Sequence, residues 1–215
     1  MILKTLPIIF IIFISGCSLK EPANISQYKA NNAFRQYQKS FLYDENLLAK
    51  SDLKRAIKYA KTDSNLDQLA TIYLGECALN ISVGLSSGCK EYKNIETLID
   101  NQKLISYYHL INNKIKKDEI QLLPKVYRKF ATYLIDNNVN KAFNEILNME
   151  KISSMFISSA IIKDKLSKED TKKLIKIASF NGYKKSLLFW MKQLKDKTKN
   201  YEEKKIIERK ILILK

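Results

Sequence analysis

The stretch Leu66–Ile81, LDQLATIYLGECALNI, decides the fold class of this chain. Its apolar stripe runs through Leu66, Leu69, Ala70, Tyr73, Leu74, Cys77, Ala78 and Ile81. Steps of three and four residues place these side chains on one face of an α-helix, over about four turns. A strand would need strict alternation, which no segment of the chain sustains.

The same period extends in both directions. Upstream, Ala30, Phe34, Tyr37, Phe41 and Leu48 form one stripe, and Leu53, Ala56, Ile57 and Ala60 another, with Ser51 and Asp52 as its expected N-caps. Downstream, Gly84 to Gly88 predicts a turn of small residues. Helices are then expected around 90–99, 102–115, 119–136, 138–149, 152–163, 168–181 and 183–198, with a last one ending near 214. Pro124 marks a place where a helix begins or kinks. Ser167 with Asp170 reads as a capping box, and Gly182 as the residue past a helix end. The expected fold class is therefore all-α, built of antiparallel helix hairpins.

Composition narrows the function classes. The chain has 215 residues, of which 46% are hydrophobic and 28% charged, so it can build a core and is not a disordered chain. Five glycines and three prolines are too few for a turn-rich β-sandwich or a glycine-loop nucleotide fold. The net charge is +16, yet only Arg35, Arg55, Arg128 and Arg209 among the 38 basic residues are arginines. Nucleic-acid readers favour arginine for its planar, bidentate fork. Lysines scattered beside many isoleucines and asparagines reflect A+T-rich coding instead, and no nucleic-acid partner is expected.

The N-terminus carries the sharpest signal. Lys4 precedes an unbroken apolar run, Leu6–Ile14, closed by Ile14-Ser15-Gly16-Cys17. The run is too short for the roughly 20 residues that cross a bilayer, and its flanks fit a cleaved signal peptide. Ile14, Ser15, Gly16 and Cys17 match in order the lipobox of bacterial lipoproteins, a family this N-terminus closely resembles. The resemblance implies diacylglyceryl attachment to the Cys17 thiol, cleavage before Cys17 and acylation of the new amino group. Such multiple acylation anchors stably where one chain is marginal. By the same resemblance, Ser18, in the place where Asp signals inner-membrane retention in enteric bacteria, favours the outer membrane. The expected organisation is a signal peptide over 1–16, a tether from lipidated Cys17 over 17–26 and a single helical domain over 27–215.

Two segments of the mature chain resemble known helical repeats. Tyr127-Arg128-Lys129-Phe130-Ala131-Thr132-Tyr133-Leu134 followed by Asn140-Lys141-Ala142-Phe143 is loosely similar to a tetratricopeptide unit. Leu174, Ala178 and Gly182 with Leu187 and Trp190 resemble a tetratricopeptide or Sel1-like hairpin. No fixed period runs through the chain. A tetratricopeptide-like superhelix and an irregular helical bundle both remain open.

Beyond Cys17 only Cys77 and Cys89 remain. An even thiol count in an exported chain favours a disulfide between them over two buried thiols. Cys77 and the sole histidine, His109, do not amount to a thiol–imidazole dyad, since no orienting group or oxyanion donor accompanies them. Glu76, next to Gly75, is vaguely similar to the helical glutamate of peptidoglycan-cleaving transglycosylases, without their further motifs. One histidine cannot build a multi-histidine zinc site, and neither a cofactor nor a metal is expected. The expected role is a lipid-anchored envelope protein, facing the periplasm from the outer membrane, whose helices bind a protein partner in envelope assembly or secretion. The alternatives are a peptidoglycan-acting enzyme or its cofactor, and a surface-exposed lipoprotein.

Overall fold

The computed structural model describes residues 24–62, 65–85 and 88–215. Eleven α-helices and no strand occur among them. They are α1 (Ile25–Leu42), α2 (Asn46–Thr62), α3 (Leu66–Ser82), α4 (Lys90–Lys93), α5 (Gln102–Ile111), α6 (Lys125–Ile135), α7 (Val139–Leu147), α8 (Ile152–Ile161), α9 (Lys168–Phe180), α10 (Lys184–Lys197) and α11 (Tyr201–Leu214). The expected signal peptide, Cys17 and most of the expected tether lie outside the described residues. The first helix begins at Ile25, inside the expected tether, because the Asn24 side chain accepts the Gln27 backbone N–H.

Asparagine punctuates this chain. Asn65, Asn101, Asn138 and Asn200 cap α3, α5, α7 and α11 in the same way as Asn24 caps α1, each satisfying a backbone donor that the first turn leaves open. The capping box of Ser167 and Asp170 opens α9 as expected. Gly84 and Gly182 take the left-handed conformation, with φ of +72° and +67°, just past α3 and α9.

Several boundaries differ from the periodic reading. A left-handed Asp44 (φ 69°) ends the first hairpin corner, so α2 starts at Asn46 and Leu48 belongs to it, largely exposed. Ser51 and Asp52 are therefore not caps but lie inside α2. Asp52 is buried against α1, where it pairs with Arg55 and accepts from the Ser40 hydroxyl at 3.5 Å. Segments expected as parts of longer helices tighten into 3₁₀ turns at Glu96–Leu98 and Lys117–Leu122, and a further 3₁₀ turn, Lys163–Lys165, falls mostly in the expected gap between α8 and α9. Pro124 sits at the N-cap of α6, where its missing N–H costs nothing.

The hairpins α1–α2, α6–α7 and α9–α10 form, including both segments that carry the repeat resemblance. They gather around α3, which packs on α2, α5 and α8, while α1 reaches α10 at the far end of the chain. In a solenoid each repeat touches only its neighbours; these long-range contacts make the assembly a helical bundle. Its core has two main clusters. One holds Phe130, Phe156, Leu174 and Trp190, and the other Ala56, Leu74, Cys77 and Tyr92. Ile81, Tyr107 and Ile161 pack against both, welding them together. Each fully buried large side chain contributes roughly 1.5–3 kcal/mol.

Small residues let distant elements meet. A Cβ on Gly84 would stand 2.5 Å from the Phe189 ring, so the corner after α3 is plugged by a side chain of α10. Conversely, the corner after α9 at Gly182 meets the Tyr43 ring from the first hairpin.

Candidate functional site

Cys77 and Cys89 are brought together, with a Cα–Cα distance of 5.1 Å and their sulfurs at disulfide distance. Cys77 is 2% exposed on α3, and Cys89, also 2% exposed, takes a left-handed backbone (φ 53°) that turns the chain into α4. This staple fastens the start of α4 to the central helix α3.

His109 lies elsewhere, at the last turn of α5, with Nδ1 2.6 Å from Glu119 Oε1. The other Glu119 oxygen accepts the Lys116 backbone N–H at 2.8 Å. The pair therefore ties α5 to the following 3₁₀ turn, and the structure does not bring His109 and Cys77 into one site.

Glu76 is half-buried on α3. Burial first, and then the nearby Glu91 carboxylate, raise its pKa above the ordinary carboxylate value. It in turn helps raise the pKa values of Tyr37 and Tyr73, for which burial is the larger cause. None of the described hollows of the surface is lined by Glu76.

The most site-like feature is a groove of about 470 Å³ between α3, α5 and the start of α6, with Phe34 of α1 reaching into it. This volume falls within the range of ligand-binding clefts. Its floor is Phe34, Leu74, Leu104, Tyr107, Leu123 and Tyr127. The Phe34 ring enters because position 75 is glycine: a Cβ there would be 2.3 Å from Phe34 Cζ. The floor's hydroxyls are used internally. Tyr107 donates to Tyr127, whose hydroxyl donates to Ser154 Oγ at 3.0 Å in the buried interior. Burial, followed by this contact with Tyr127, holds the Tyr107 pKa well above its ordinary value. The tyrosines therefore line the groove as neutral, mostly apolar surface.

Lys103, Lys125 and Arg128 border this floor. Arg128 is held in place, its Nε donating to the Leu123 carbonyl at 2.8 Å and a terminal nitrogen to Gln121 at 3.3 Å. Among the described residues none of these three cations has a carboxylate within ion-pair distance. Other surface lysines do, as in Lys168–Glu203 and Lys195–Glu208. At the other end, Asp67 and Asp100 border an adjoining hollow that shares Lys103 and Leu122. The groove is thus cationic toward α6 and mixed in sign toward the start of α5.

Sequence reasoning named none of these groove residues as a site. They come from four separated segments without a shared motif, and the one local signal was a glycine inside an otherwise uninterrupted helical stripe.

Among the described residues no helix is long and apolar enough to cross a membrane, and no group of histidine, cysteine or acidic side chains is arranged to hold a metal. Compared with family models, curated proteins and solved structures, the chain matches none.

Proposed function

We propose that this chain is a lipid-anchored cell-envelope protein whose helical bundle presents the α3–α5–α6 groove to a protein partner, as an accessory factor in envelope assembly or secretion. The anchor rests on the lipobox Ile14-Ser15-Gly16-Cys17, and Ser18 favours the outer membrane, with the domain facing the periplasm. The observation that carries the binding role is the groove itself: an apolar, aromatic hollow rimmed by cations that have no carboxylate within ion-pair distance among the described residues. A mostly apolar hollow of this volume with a few polar groups at its rim is the usual form of a binding site. A buried Cys77–Cys89 staple suits an exported protein that must keep this surface in shape in an oxidising compartment.

Intact mass of protein purified from its native membrane, with and without reductant and alkylation, tests the anchor. A chain beginning at Cys17 with added acyl groups supports it, and an unacylated full-length chain overturns it. A photoreactive side chain at Leu122, beside the groove floor, tests the binding role in intact cells: a protein adduct absent from a surface control position supports it.

A second reading, a peptidoglycan-acting enzyme or its cofactor, draws on Glu76, whose raised pKa suits a proton donor. Release of soluble muropeptides from purified sacculi, lost in Glu76→Gln, would favour it. Surface exposure of the lipoprotein is distinguished by proteolysis of intact cells.

A further inference from the structure

We infer that the α3–α5–α6 groove takes an acidic amphipathic helix of a partner protein, seated with its apolar face on Phe34, Leu104 and Tyr107 and its carboxylates against Lys125 and Arg128. This deepens the binding role proposed above and rests on it.

Three features select that occupant. The floor offers no open hydrogen-bonding group, since the Tyr107–Tyr127–Ser154 chain uses its hydroxyls internally. An occupant must therefore be apolar where it touches the floor, or it would bury unsatisfied polar atoms. A helix brings its own backbone hydrogen bonds already made, and among the described residues there is no strand edge on which an extended segment could pair. Next, the rim is cationic and has no carboxylate within ion-pair distance among the described residues, so acidic residues flanking the apolar stripe meet charges that are not yet neutralised. Arg128 is held by the Leu123 carbonyl and Gln121 in that position, which lowers the ordering cost of receiving a carboxylate. Finally, Asp67 and Asp100 stand near the Lys103 end. The acidic flank accordingly lies toward the first turn of α6, whose own dipole adds to the attraction.

A chain of net charge +16 attracts any acidic peptide weakly, so the test must separate the groove from the general field. The probe is a labelled helix of about 18 residues, five turns, with leucines at i, i+3, i+4 and i+7 spacing and glutamates on the flanks. A twin carries lysine for every glutamate, and a third peptide has the same composition with the leucine face scattered. Binding to the purified protein is read by fluorescence anisotropy. The glutamate peptide is expected to bind at least about tenfold tighter than either comparison. Lys125→Glu with Arg128→Glu should weaken it about tenfold and strengthen the lysine twin, a swap that a misfolded protein would not produce. Lys54→Glu, Lys58→Glu and Lys61→Glu on the exposed face of α2 should leave binding within about twofold.

Equal loss in the α2 control, equal affinity for the lysine twin, or displacement of the peptide by anionic lipid vesicles alone would overturn the inference. The Leu122 crosslink keeps its failure apart from that of the wider reading. A protein adduct through a segment without acidic residues leaves the binding role standing and removes this occupant. Absence of any adduct, with no peptide bound, removes both.

Discussion

The Phe34 ring of α1 occupies the space in which a side chain at position 75 of α3 would stand, with a distance of 2.3 Å from the place of that Cβ to Cζ. Glycine inside a helix costs about 1 kcal/mol relative to alanine, so the contact is kept against a local penalty. Gly75→Ala is expected to push Phe34 aside and leave stability within about 1 kcal/mol of wild type, as overpacking offsets the helical gain. In a Phe34→Ala background the same change should stabilise by about 0.5–1 kcal/mol. Urea midpoints over the four-member cycle check this, and simple additivity would refute the interlock.

The corner glycines offer a matched comparison. Gly84 has φ +72° and meets Phe189, whereas Gly88 has φ +57° with nothing nearby. Gly88→Ala should cost about 1 kcal/mol, the strain of the left-handed backbone alone. Gly84→Ala adds a clash with an aromatic ring buried beside Trp190 and should cost roughly 2–4 kcal/mol. Trp190, the sole tryptophan, is fully buried, with its ring centroid 4.9 Å from that of Phe189, and its emission reports the unfolding.

Joining Cys77 to Cys89, twelve residues apart, closes a short loop. In the chain-entropy account such a link stabilises by about 3 kcal/mol. Reduction, or the double change Cys77→Ala and Cys89→Ala, should lower the melting temperature by roughly 6–12 °C. A non-reduced mass 2 Da below the reduced one is expected from loss of two hydrogens. An unchanged melting temperature in reductant would remove the staple from the stability argument.

Glu76 makes stability depend on pH with a definite sign. Burial and Glu91 raise its folded pKa, so the folded state binds the proton more tightly than the unfolded chain. Stability must then fall as pH rises from the ordinary carboxylate value near 4.5 through the raised folded value. Glu76→Gln removes the cost of a buried charge. The variant should be more stable than wild type at pH 7, with the difference shrinking below about pH 4. A variant less stable at neutral pH would show that the carboxylate makes favourable contacts.

The helical period was legible wherever one face meets the core. Leu69, Ala70, Leu74, Cys77 and Ala78 of the opening stripe are all buried. The period could not show that Ile72 and Leu79, off the stripe, are buried as well. That follows from the placing of α3 among α2, α5 and α8, a tertiary fact. The corner at Asp44 escaped because its left-handed residue is not glycine, and the 3₁₀ turn at Lys117–Leu122 escaped because Ile120, Leu123 and Tyr127 keep a helical spacing across it. The groove was least legible. Tyr107 reads as an ordinary core position, and only the meeting of α3, α5 and α6 leaves it half-buried beside Arg128, above a fully buried Leu74.

The plugged corners also govern what a protease can achieve. Leu85 is 51% exposed at the bend between α3 and α4, an open place for cleavage. A cut there severs a segment already bridged from Cys77 to Cys89, so the two pieces stay covalently joined. Phe189 at Gly84 and Tyr43 at Gly182 tie each piece to the other as well. A nicked molecule therefore keeps its outline, travels as one particle under non-reducing conditions and separates only when denaturant and reductant act together.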